Sequence, residues 1–242
     1  MKPTDQRLFA ALDATWPAAR SFVVGPWTIR EGAGGGQRVS AATLNNGSNK
    51  SDIAAAEVAM RGLGQTPLFM VRHEESKLDD WLEMRGYEIV DPVAIYVADA
   101  SSLARSERSA PIFSAWPPLA IQTEIWAAGG VSEPRLAVMS RAPADKISLL
   151  GRLGDHAVAT TFVARHDDIA MLHALEVSPE ARRRGVGATM MAAAASWAAK
   201  QGADTLVVMV TRDNAPANSL YQSLGMVEVG QYHYRRTTTV GS

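Results

Sequence analysis

Residues 171–188, MLHALEVSPEARRRGVGA, pass from an apolar strand pattern through a Ser178-Pro179-Glu180 break into Arg182-x-x-Gly185-x-Gly187 and an alanine-rich helical run. This is the make-up of an anion cradle. Glycine lets the backbone approach a ligand closely, the first amides of a helix have no partner inside it, and the macrodipole adds about half a positive charge at that end. A pyrophosphate suits such a site. Two other phosphate-binding patterns exploit the same physics and fail here. A Walker loop needs a lysine after its second glycine, and a dinucleotide fingerprint needs a third small residue where Met190 stands.

A second constellation follows. Residues 205–210, TLVVMV, form a continuous run of β-branched and aliphatic side chains, as a buried parallel strand would. After it comes NAPANSLYQSLGM, residues 214–226, in which Asn214 can cap a helix start, Pro216 is tolerated in a first turn, and Gly225 suits a helix end. The two segments together resemble the GNAT superfamily of acyl-CoA-dependent N-acyltransferases. Its motif A, [QR]-x-x-G-x-[GA], is met by Arg182, Gly185 and Gly187. Its late motif, N-x-x-A-x-x-L-Y-x-x-x-G-[FM], is met by Asn214, Ala217, Leu220, Tyr221, Gly225 and Met226.

The resemblance implies an α/β fold built on a mixed sheet, acetyl-CoA as cosubstrate, no metal, and direct attack of an amine on the thioester in a ternary complex. It assigns the pyrophosphate to the backbone of Arg183, Arg184, Gly185, Val186, Gly187 and Ala188, assisted by the charge of Arg182. Backbone groups of Leu175 and Val177 would pair with the pantetheine, and Asn214 and Ala217 would flank the CoA arm. Tyr221 would reach the cofactor sulfur and return a proton to the leaving thiolate. For the base there are two candidates. His173 lies on the strand bordering the acetyl group, where some members of the family carry a catalytic histidine, although a histidine in an apolar strand also reads as a packed core residue. Glu176 is the other; strand alternation puts it on the face opposite His173 unless a bulge intervenes. Tyr221 also reads as an amphipathic tyrosine packed at a helix edge. His233, on the last strand, could line the acceptor pocket.

Composition sets bounds consistent with this resemblance, which implies a small-molecule amine or a peptide N-terminus as the acceptor. The chain has 242 residues, 47% hydrophobic, a formal net charge of −1 with scattered basic residues, and no cysteine. These features point away from nucleic acid, and they exclude disulfides and thiolate metal sites. The sequence has no membrane-span pattern and no signal peptide, so a soluble cytoplasmic protein is expected. His166-Asp167-Asp168 reads as a turn between strands.

The elements needed to position these residues can be read in outline. Helices are expected at 120–128 and 135–141, strands at 146–152, 157–165 and 169–177, a helix at 187–201, a strand at 205–210, a helix at 215–224, and a final strand or hairpin at 227–236. On the long helix, Met190, Ala193, Ala194 and Trp197 form a core stripe. An internal duplication is also visible. Aligning Gly86 with Gly225, 139 positions apart, places Met70 on Met209, Trp81 on Leu220 and Leu82 on Tyr221 without a gap. The expected organisation is a degenerate GNAT-like lobe at 1–98, a connecting segment at 99–118, and a catalytic domain at 119–242. The first lobe lacks R-x-x-G-x-G in its segment 42–51. Its glycines Gly32, Gly34, Gly35 and Gly36 read as a flexible hairpin turn, and its role reads as architectural, leaving the chain a monomer. A non-catalytic acyl-CoA sensor is the alternative function, although a binder has no need of an acid at the thiolate.

Overall fold

The apolar strand patterns and the helical stripes assemble, in a computed structural model, into one large sheet covered on both faces. Residues 3–45, 52–105, 110–143 and 145–237 are described; residues 46–51 of the first lobe's motif segment lie outside them. In chain order the elements are α1 (Asp5–Thr15), β1 (Arg20–Val24), β2 (Trp27–Glu31), a 3-10 turn (Gln37–Val39), β3 (Thr43–Leu44), α2 (Ile53–Gly62), β4 (Leu68–Arg72), α3 (Ser76–Met84), β5 (Tyr87–Asp99), α4 (Ala100–Ala104), β6 (Ile112–Ala115), α5 (Ala120–Ala128) and α6 (Glu133–Arg141). Then follow β7 (Lys146–Leu153), β8 (His156–His166), β9 (Ile169–Val177), a 3-10 turn (Pro179–Ala181), α7 (Val186–Lys200), β10 (Thr205–Thr211), α8 (Ala215–Ser223) and β11 (Val227–Thr237). The segment expected to connect the lobes is not structureless. It holds α4 and β6, and β6 pairs with β7 at the end of the sheet.

The main sheet has the order β4-β11-β5-β10-β9-β8-β7-β6, and β1-β2-β3 form a small antiparallel sheet beside it. Every pairing in the main sheet is antiparallel except β9 with β10. One face buries Phe162, Met171, Val207, Ile95 and Tyr232 under α1, α5 and α6. The other buries Val163, Leu172, Val208 and Tyr96 under α7 and α8, with α4 packed alongside. Alanines at 192–195 let α7 lie close on that face, and Met190, Ala193 and Ala194 are buried as its periodicity requires.

The duplication is written into the strand register. Seven pairs join β10 to β5, and the last five run from Val207 with Val97 to Thr211 with Val93. Shifting each partner by 139 positions gives Leu68 with Arg236 through Arg72 with Tyr232, the five pairs that join β4 to β11. At the centre Val93 pairs with Tyr232, its own equivalent. The two halves are thus related by a pseudo-two-fold axis between β5 and β11, with each half placing its last strand inside the other's part of the sheet.

The glycine-rich segment between β2 and the 3-10 turn is not a free turn. A Cβ on Gly35 would lie 2.6 Å from Val138 and 2.9 Å from Val39, and one on Gly34 3.2 Å from Pro134. These glycines let the first half approach α6 of the second closely. Because β5 lies between β10 and β11 and β4 is β11's other neighbour, a fragment beginning at Ala110 leaves β10 with one unpaired edge and β11 with none of its partners, and exposes Tyr232 and Val207. It is expected to aggregate or to associate with itself on size-exclusion chromatography with light scattering. A soluble monomer with native-like circular dichroism would contradict this account.

Candidate acyl-CoA and acceptor site

The site is built where β9 and β10 part. Their parallel pairing runs from Ile169 with Thr205 to Leu172 with Val208 and then stops. From His173 to Val177 the edge of β9 that faces β10 has no strand partner, while the other edge stays paired with β8. A cleft opens between two strands that are neighbours below it.

A bulge in β9 sets the directions of the side chains along that cleft. Phe162 pairs with His173 and Thr160 with Glu176, so three steps on β9 face two on β8. Ala174 takes the left-handed conformation at φ 49°. Two hydrogen bonds hold the carbonyls that the bulge frees: Thr161 Oγ1 donates to His173 O at 2.9 Å, and Trp126 Nε1 on α5 donates to Ala174 O at 2.8 Å. Glu176 therefore lies on the same face as His173, contrary to simple alternation. That face is the one covered by α1, α5 and α6.

Glu176 is packed against the turn after α5. A Cβ on Gly129 would fall 2.4 Å from its Cδ, so any larger residue there would displace the carboxylate from this position. Burial pushes the Glu176 carboxyl above its ordinary value, against the pull of Arg182 and Arg135. His173 is enclosed. Its ring lies 4.8 Å from that of Trp16, and Thr15 Oγ1 is 3.0 Å from Nε2. Thr15 Oγ1 already donates to Ala11 O, so Nε2 must donate to it, leaving Nδ1 to accept from Arg38 Nη1 at 3.5 Å. Burial and the nearby Arg38 charge hold the imidazole well below 6.5, so it is neutral at physiological pH.

At the end of β9 the chain turns through Pro179–Ala181 and enters α7 in a distinctive conformation. Arg183 (φ 60°) and Gly185 (φ 78°) are both left-handed, and Gly185 is the residue before the helix. The first helical hydrogen bond is Thr189 N to Gly185 O at 3.0 Å. The six amides from Arg183 to Ala188 have no partner among the described residues, which makes them a nest for an anion. Arg183 and Arg184 are exposed at its rim. Arg182 is used differently: its Nε donates to Val177 O at 3.0 Å and ties the strand end to the loop.

Across the cleft, Asn214 caps α8 by accepting from Ala217 N at 3.1 Å. Tyr221 stands one turn further along the same helix, 6% exposed, with its ring 5.8 Å from that of Tyr96. Burial and the charge of Glu176 push its hydroxyl up to about 12. Ala217 and Leu220 pack beside it in the α7 core. His233 stands apart from this site. Alternation puts it opposite Tyr232 and Tyr234, and its Nε2 lies 2.8 Å from Asp79 Oδ1 on α3. An open cavity of about 570 Å³, lined by Pro3, Val97, Asp99, Thr205 and Gly225, lies at the far ends of these strands from the anion nest.

Several residues of the site carried no signal in the sequence. Gly129-Gly130 reads as an ordinary helix end. Trp126, Thr161 and Arg38 gain meaning only from the fold that brings them to β9. Among the described residues a trio of potential metal ligands, Asp5, His73 and Glu74, lies at the surface outside this site.

Comparison with known proteins agrees with the geometry. Residues 112–226 match the family described as acetyltransferase (GNAT) family. The chain is 26% identical over 237 residues to the uncharacterized N-acetyltransferase YobR of Bacillus subtilis (strain 168), covering 92% of this chain and 94% of that one. A GCN5-related N-acetyltransferase from Kribbella flavida superposes with a TM-score of 0.76 at 21% identity, over 99% of this chain and 97% of that one. A tandem GNAT protein from the clavulanic acid biosynthesis pathway has the same fold, with a TM-score of 0.60 at 12% identity over 86% and 76% of the two chains.

The nest yields a direct prediction. In Gly187→Glu the new Cβ meets only the tip of Leu220, 3.1 Å away, so the fold should survive. The added carboxylate would stand among the six free amides, and acetyl-CoA, which is expected to raise the Tm of the parent protein, should no longer do so. Unchanged CoA affinity by calorimetry would remove the nest from the cofactor site. On motif, fold and relatives together, residues 112–226 match the acetyltransferase (GNAT) family, and over nearly its whole length the chain is similar to N-acetyltransferases.

Proposed function

We propose that the protein transfers the acetyl group of acetyl-CoA to a primary amine by direct attack in a ternary complex, with residues 119–242 as the catalytic domain and 1–98 as a degenerate partner lobe. One arrangement carries the reading: the free edge of β9 runs into the anion nest, with Glu176 on one side of the sheet and Tyr221 on the other. The nest would hold the pyrophosphate, with Arg183 and Arg184 at its rim. The backbone near Leu175 would pair with the pantetheine as an added strand, and Asn214 would face the CoA arm. The acetyl group would then lie in the cleft between the two side chains.

The amine lone pair attacks the thioester carbonyl, and the C–N bond forms as the C–S bond breaks. Glu176 takes the proton the nitrogen loses, directly or through one water, and Tyr221 gives its proton to the departing thiolate. The products are the amide and free CoA. Burial suits both groups. The raised Glu176 carboxyl is a better base than an ordinary carboxylate, and Tyr221 stays protonated through the whole working range of pH. His173 takes no part in this scheme as a base, because both its nitrogens are engaged and its proton affinity is depressed.

Thiol release measured over a panel of amines tests the reaction. Tyr221→Phe should bind acetyl-CoA as the parent does but turn over about 10- to 1000-fold more slowly. Equal rates would return Tyr221 to a packing role. The pH profile tests the base. Glu176 must be ionised to act, so kcat/KM should fall as pH drops through a value above 4.5, and Glu176→Gln should be slow with that acid limb gone. A limb that persists in Glu176→Gln would transfer the role to another group.

A further inference from the structure

The first half of the chain delivers a cation into the cleft. Arg38, on the 3-10 turn Gln37–Val39, reaches from there to the point where β9 and β10 part. Its Nη2 lies 3.4 Å from Met209 O and its Nη1 3.5 Å from His173 Nδ1. Met209 and His173 are the first residues beyond the last pair of the two strands. The hydroxyls of Tyr232 and Tyr234, 3.5 Å apart, stand against the same guanidinium. Its Nε is buried without a hydrogen-bond partner, its contacts to Met209 O and His173 Nδ1 are long, and its remaining partners are the uncharged phenols of Tyr232 and Tyr234.

No carboxylate among the described residues comes within ion-pair distance of Arg38. The two most deeply buried guanidiniums differ. Arg30 has Asp13 at 2.8 Å and Arg235 has Asp79 at 2.7 Å. A cation held among Tyr232, Tyr234, His173 and the core is costly without a counter-charge. His173 does not supply one, being neutral. What is missing is an anion, and a planar fork beside two phenols is suited to a carboxylate.

The position identifies where that anion would come from. Arg38 and Glu176 share the face of the sheet under α1, α5 and α6, and Phe162 and Thr160, which pair with His173 and Glu176, are two strand residues apart, about 7 Å. The anion nest belongs to α7 on the other face, so CoA phosphates held there do not reach Arg38. A molecule lying along this face of the cleft where β9 and β10 part would meet the Glu176 carboxylate at one end and Arg38, a cation with no carboxylate partner among the described residues, at the other.

We propose that Arg38, with Tyr232 and Tyr234, binds a carboxylate carried by the acceptor, so that the acceptor is a small amino-acid-like amine and the first half completes the acceptor site. This rests on the acetyl-transfer reading above. The amine faces Glu176 and the acid faces Arg38, which an amino acid satisfies and a simple polyamine, an amino sugar or a peptide N-terminus does not.

The test uses the full chain with acetyl-CoA and matched probes: α-, β- and γ-amino acids, each beside its carboxamide, which keeps the amine and lacks the charge. The parent should favour accepted acids over their amides at least tenfold in kcat/KM, chiefly through KM. In Arg38→Met that ratio should fall towards one, with acetyl-CoA affinity by calorimetry unchanged; Arg38→Lys and Tyr232→Phe should reduce it partly. Amides used as well as acids by the parent, or a ratio untouched in Arg38→Met, would overturn the proposal. The comparison within the parent stands even if Arg38→Met fails to fold. If no amine releases thiol, the transfer reading fails first, and calorimetry of the same acids and amides on the CoA-loaded parent decides the second. Acids bound and amides not would keep the carboxylate site; neither bound, or both alike, would remove it.

Discussion

The parallel pairing of β9 with β10 ends after four residue pairs, and the organisation of the site follows from that early end. A fully zipped pair would leave no edge to receive an extended ligand and no route between the faces. The bulge at Ala174 makes the parting productive, because it turns Glu176 onto the face of His173. The bulge in turn depends on Thr161 and Trp126, which accept the cost of two carbonyls released from the ladder. Tertiary packing, and not local propensity, therefore decides where the carboxylate points.

The two halves are more interdependent than a catalytic domain with an appended lobe. Their strands are exchanged about the axis at Val93 and Tyr232, and the glycines of the first half are pressed against α6 of the second. The same closeness puts Thr15, Trp16 and Arg38 around His173. The histidine's neutrality is thus set by residues contributed from the opposite half of the chain.

Much of the frame was legible in the sequence because its signals are local. The strand at 169–177 was readable from its apolar run, α7 from Gly185 and its alanines, and α8 from Asn214, Pro216 and Gly225. The offset of 139 between the halves also survives in the sequence, since Met70 and Met209 or Gly86 and Gly225 occupy equivalent backbone positions. The rest was not legible for physical reasons. A bulge is one extra residue with no composition of its own, so alternation put Glu176 on the wrong face. Arg38 lies 135 positions from His173, and nothing near it in sequence announces the meeting. Gly35 reads as flexibility in a string of glycines, whereas in the fold it serves close approach. His233 looked like a pocket residue only because the partner that takes it, Asp79, lies 154 positions away.

The strand exchange also bears on how the chain reaches this structure. Every partner of β5 in β10 and β11 lies between 106 and 150 positions further along, so the middle of the sheet is among the most non-local parts of the fold. Such topologies collapse slowly, because distant segments must meet before any contact rewards the lost chain entropy. During synthesis β5 emerges long before either neighbour and waits with both edges open, carrying Val93, Ile95, Tyr96 and Val97. Within it stand Asp91, held at φ 46°, and Pro92, which has no amide to donate. A charge and a proline at that place interrupt the run that would otherwise template pairing with another copy, and they protect the nascent chain from the strand its mature sheet most requires.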